Sequence, residues 1–130
     1  MKKVLGLCVL AILFLCSNSW AGEAAGGHVA FFFTDPVKTD GDFEVQYDFN
    51  YYYRQLAPWL KQNGFSHSYH TSTPITFRLD KGKSIVIGKD QLQNDLGMIF
   101  CKMDGTYKIS YGVGTDIDTI MEIKEFFDLK

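Results

Sequence analysis

The chain has 130 residues, with 13 basic and 15 acidic side chains and a formal net charge of −2. That length fits one domain with one core. The absence of a basic cluster argues against nucleic acid or anionic lipid as a partner.

The first 21 residues read as a secretory signal peptide. Lys2 and Lys3 give a positive start, Val4 to Cys16 is an uncharged apolar run, and Ser19 and Ala21 put small residues before a cut after Ala21. The apolar run is shorter than the ~20 residues a spanning helix needs, so a retained anchor is the weaker reading. Leu15 before Cys16 also argues against a lipid anchor. Residues 22–130 then form the mature domain, periplasmic or secreted, with no stable membrane insertion. Losing Lys2 and Lys3 leaves 11 basic against 15 acidic residues, a net charge of about −4. Cys8 and Cys16 leave with the signal, so Cys101 is the single thiol and no internal disulfide is possible.

Gly22 to Gly27 reads as a loose N-terminus. Val29 to Phe33 is a continuous apolar run, as expected of a strand buried on both faces. Thr34 to Asp48 reads largely as an acidic loop. Phe43, Val45, Tyr47 and Phe49 alternate within it like a strand, but helical periodicity takes over at Phe49. The spacing of Phe49, Tyr52, Tyr53, Leu56, Trp59 and Leu60 predicts a helix from Phe49 to Gln62, capped by Asp48, stopped by Asn63-Gly64 and bent by Pro58.

Phe65 to Ser72 reads as a strand with Phe65, His67 and Tyr69 on one face. Ile75–Leu79 and Ser84–Ile87 form a hairpin signal around Asp80-Lys81-Gly82-Lys83, and Asp90 to Asn94 suggests one helical turn. Met98–Met103 and Thr106–Tyr111 flank Asp104-Gly105, the pair a type I′ turn prefers. A final helix opens on Thr115, with Asp118 completing a capping box; Ile117, Ile120, Met121, Ile123 and Phe127 are its expected inward stripe. The order predicts a single-domain α/β fold, a mixed β-sheet flanked by helices, with the first helix as a right-handed crossover.

This order resembles the thioredoxin-like family over about half the mature chain. Leu56-Ala57-Pro58-Trp59-Leu60 is similar to the family's long helix with Ala-Pro between bulky residues. Ile99 to Tyr107, then Gly112, then Ile117 to Phe127 is similar to its closing strand, acidic-Gly turn, strand and helix. The resemblance implies a thioredoxin-like fold and places the redox Cys-x-x-Cys at Asn50-Tyr51-Tyr52-Tyr53, where no cysteine stands. The family's cis-proline position falls near Asp95-Leu96-Gly97-Met98, which has no proline, and Pro74 lies too early. The loop from Thr34 to Asp48 and the hairpin from Ile75 to Ile87 also depart from the minimal pattern. The resemblance therefore implies the scaffold without its dithiol chemistry.

Cys101 lies mid-strand and reads as a buried small hydrophobe; the rival reading is a thiol for mixed disulfides. His67 and His70 fall on opposite faces of a strand and cannot share an ion, and His28 adds nothing that sequence can place, so no metal site is expected. Asp35, Asp40, Asp42, Glu44 and Asp48 resemble a calcium loop only in charge, because Gly41 lacks the acidic residues an EF-hand needs before it. Gly112-Val113-Gly114-Thr115 reads as a strand exit and cap, lacking the Lys of a phosphate loop. Ser66, Ser68 and Ser72 lie near the histidines without singling out a catalytic pair.

Tyr51, Tyr52 and Tyr53 cannot all face a core, because helical neighbours differ by about 100°. Tyr51, Tyr53 and Trp59 are therefore the candidate binding residues, with packing as the competing role. The expected function is an exported, non-catalytic domain that binds another protein, as an envelope accessory or an immunity-type inhibitor, with no cofactor. The alternatives are a redox accessory acting through Cys101 alone and a small-molecule or ion carrier.

Overall fold

The computed structural model describes residues 26–34, 40–111 and 114–129, without the side chains of 40–43. The signal-peptide reading, Asp35 and the Gly112-Val113 pair lie outside these residues. Strand β1 (Gly27–Phe33) is the centre of the fold. It pairs in parallel with β2 (Phe65–His70) and antiparallel with β5 (Leu96–Lys102), and β5 pairs antiparallel with β6 (Tyr107–Ser110). The result is a mixed four-stranded sheet of order β2-β1-β5-β6. Helix α1 (Asp40–Gln62) is the crossover between the parallel strands, and α2 (Asp116–Phe126) closes the chain.

The pleat sends alternate residues of β1 to two separate cores. Val29, Phe31 and Phe33, with Met98 and Phe100 from β5, pack against Phe49, Leu56 and Leu60 of α1 and Ile123 of α2. Ala30 and Phe32, with Ile99 and Cys101, face the other way. That side is covered by a second, two-stranded sheet of β3 (Ile75–Arg78) and β4 (Ser84–Ile87), which lays Ile75, Phe77 and Ile87 on it. Both helices therefore lie on one face of the sheet, and a hairpin covers the other. Full burial of Phe31 and Phe32 contributes about 1.5–3 kcal/mol for each ring.

The sequence expectation of a helix starting at Phe49 is corrected: α1 starts at Asp40, and Asp48 lies well inside it. Most of the expected acidic loop is thus helical. The alternation from Phe43 to Phe49 does not make a strand because Val45 and Tyr47 find no sheet to cover them; both are exposed. The helix runs through Pro58 and ends before Gly64, whose φ of 82° suits a residue without a Cβ.

The Asp104-Gly105 connection is also corrected. Lys102 pairs with Thr106 through a 2.8 Å hydrogen bond, so the loop holds three residues, Met103 to Gly105. The Gly105 amide donates to the Lys102 carbonyl at 3.0 Å, and only Gly105 has positive φ, 98°. This is the three-residue turn with a glycine bulge, which leaves Asp104 in an ordinary backbone region. The Thr73–Pro74 peptide leading into β3 is cis.

Thr115 and Asp118 form the expected capping box at α2. The expected inward stripe is shifted, however. Thr119, Ile120, Ile123 and Phe127 face the core, while Ile117 and Met121 are 65% and 63% exposed. The cause is tertiary: the Tyr52 hydroxyl of α1 donates to the Thr115 carbonyl at 3.1 Å and hydrogen-bonds the Thr119 hydroxyl, which turns Thr119 inward.

Candidate functional site

Helix α1 divides into two faces by its 3.6-residue period. Phe49, Leu56 and Leu60 are buried, and Tyr52, Tyr53 and Trp59 pack beside them. On the opposite side Glu44, Tyr47, Tyr51, Arg54, Pro58 and Lys61 are all exposed. Tyr47 and Tyr51 are the most open of its aromatics, at 65% and 57%. With Asn50 and Arg54 they line a shallow depression of about 130 Å³.

The structure separates the three expected binding residues. Tyr51 points outward. Tyr53 turns toward the sheet, where its ring meets Phe31 edge-on at 4.9 Å and its hydroxyl lies 2.7 Å from His67 Nδ1. Burial pushes the Tyr53 hydroxyl above its ordinary pKa. Trp59 is half-buried and stacks on Phe65 at 6.2 Å. Tyr53 and Trp59 therefore carry packing contacts, and Tyr51 shares its face with Tyr47 and Arg54 instead. Tyr47 was missed because the expected helix began after it, and Arg54, inside that helix, because only its aromatic residues were weighed for recognition. The signal was present in the spacing of Tyr47, Tyr51, Arg54 and Pro58, which is four, three and four. Tyr51 also lies in the middle of α1 rather than near its N-terminus.

The remaining candidates are dispersed. Cys101 is fully buried beneath the hairpin, and burial, aided by the Asp104 carboxylate, pushes its thiol up to about 11. A reactive cysteine needs the opposite shift, toward thiolate near neutral pH. His28 Nε2 lies 2.9 Å from the Arg78 carbonyl on the hairpin side. His67 bonds Tyr53 on the helix side, and His70 bonds Ser68 at 2.7 Å on the far side of β2. Burial lowers the His70 pKa, favouring the neutral ring. The Ser68–His70 pair has no carboxylate orienting its histidine among the described residues, so the third member of a triad is absent there. No group of three or more metal-ligating side chains occurs among the described residues. Glu44 and Asp48 lie one turn apart on the helix, and no third ligating side chain joins them among the described residues.

Among the described residues no helix is long and apolar enough to cross a membrane. Compared with protein-family models, curated proteins and solved structures, the chain matches none.

Proposed function

We propose that this chain is an exported, non-catalytic domain of thioredoxin-like type that binds a protein partner through the outward face of α1, as an envelope accessory or an immunity-type inhibitor. Support for the fold type comes from the strand order β2-β1-β5-β6, with a helical crossover between the parallel pair and a closing β-hairpin and helix. The β3–β4 hairpin over the opposite face is the departure from the minimal family pattern. Asn50 to Tyr53, where the dithiol would stand, lie in mid-helix, away from the N-terminal dipole that activates thiols. The sealed Cys101 weighs against a single-thiol redox role.

The observation that carries the binding reading is the exposure of Tyr47 and Tyr51 beside Arg54 on a helix whose other side anchors the core. Tyrosine and arginine supply a large share of the energy at protein interfaces. The test is affinity capture with the mature domain from the fluid into which it is exported, run beside the Tyr47→Ala/Tyr51→Ala variant. A protein retained by the native domain and released by the variant supports the reading. Equal retention by both, or none by the native domain, contradicts it.

A further inference from the structure

The outward face of α1 carries charges of both signs in a fixed order along the helix. Glu44, Tyr47, Tyr51, Arg54, Pro58 and Lys61 recur at alternating spacings of three and four and so form one stripe along the helix, apolar at Tyr47, Tyr51 and Pro58 and charged toward its ends. All six are exposed, and all lie on one continuous helix. The charge along the seam is graded, with its carboxylate at the N-terminal end and its cations toward the C-terminal end.

We infer that the occupant of this face is a second copy of the same chain, its α1 lying antiparallel; this rests on the reading of the face as a recognition surface. With the twofold axis at the height of Tyr52 and Tyr53, an antiparallel seam sets Glu44 opposite Lys61 of the second copy. The same register sets Tyr47 against Pro58 and the Tyr51 ring against the Arg54 guanidinium. Because a twofold interface is self-complementary, each pairing occurs twice. The ion pairs join opposite charges, the Tyr47–Pro58 contact covers apolar surface, and Arg54 over Tyr51 is a cation–π pair. Antiparallel packing also opposes the two helix dipoles. A parallel seam would instead place Glu44 against Glu44, Arg54 against Arg54 and Lys61 against Lys61, which disfavours it.

The seam from 44 to 61 is about 26 Å long at 1.5 Å per residue and only one helix wide, which places it at the small end of specific interfaces. The dimer is accordingly weak, with Kd on the order of 10–1,000 μM, and it loosens with added salt. Exchange with another protein on the same face remains open to it at such affinity.

Sedimentation velocity of the mature domain up to ~1 mM tests this, with Kd expected in that range. Glu44→Lys should weaken association about tenfold, and Glu44→Lys/Lys61→Glu should restore it to within about threefold, because the swap rebuilds both ion pairs. Mixing Tyr51→Cys chains with Arg54→Cys chains should yield the mixed disulfide in excess over either homodisulfide. Monomer throughout, no rescue by the double swap, or a dominant 51–51 disulfide overturns the inference. A different protein captured through Tyr47 and Tyr51 while the native domain stays monomeric overturns the second-copy inference and leaves the recognition reading standing.

Discussion

The two faces of helix α1 share one backbone and one aromatic-rich composition, yet one is sealed in the core and the other open to solvent. Inward, Phe49, Leu56 and Leu60 lie within the core and hold the crossover on the sheet. Outward, Tyr47 and Tyr51 cover no core surface and are more than half exposed. An aromatic residue on a helix is therefore no guide to its role until its angular position is known. Tyr51 and Tyr53 are two residues apart, and one faces solvent while the other bonds His67.

Substitutions on the two faces should differ sharply. Leu56→Ala has the largest expected effect, a loss of about 2–5 kcal/mol by denaturant titration, since it opens a cavity between α1 and the sheet. Cys101→Ser should cost about 1–3 kcal/mol by the same measurement, because it places a hydroxyl in the apolar layer under the hairpin. Native thiol labelling of Cys101 should correspondingly be slow and become fast in denaturant. Its raised pKa also fixes a pH dependence. The folded state holds the thiol proton more tightly, so this contribution is fully present below the unfolded value of ~8.5. It is lost as pH rises toward about 11, which a stability profile across that alkaline window reads directly.

Thr115→Ala removes the cap of α2 and should cost about 1 kcal/mol. Tyr51→Ala should be the mildest for folding, within about 0.5 kcal/mol, as expected of a surface position. It should nevertheless weaken binding at the outward face by more than 1 kcal/mol if Tyr51 is a hot spot. Calorimetry of the variant against the native domain separates the two quantities.

Elements held by local chemistry were legible in the sequence. The apolar run of β1, the strands flanking Asp80 to Lys83 and the Thr115–Asp118 box each correspond to an observed element. What sequence could not supply was decided at long range. The alternation from Phe43 to Phe49 fits either a strand or a helix, and only the lack of sheet against Val45 and Tyr47 separates them. Thr119 rather than Ile117 faces inward because Tyr52 arrives from the other helix. The hairpin as the second cover of β1 depends on Ile75, Phe77 and Ile87 meeting Phe32 and Cys101, a contact no local pattern announces. The candidate site suffered from the same ambiguity. Tyr51 was visible as a candidate, but Tyr47 joined its face only once α1 was extended back to Asp40, and Arg54 was legible only as one polar residue among several on the helix.

The proposed function requires that α1 fold with one face and bind with the other. A photo-crosslinking residue placed singly at each position from 44 to 61, in producing cells, tests it most directly. Adducts should peak at 44, 47, 51, 54, 58 and 61 and fall away between them, with the folded yield unchanged at those peaks. Adduct yield without helical period, or no adduct from any outward position, would contradict it.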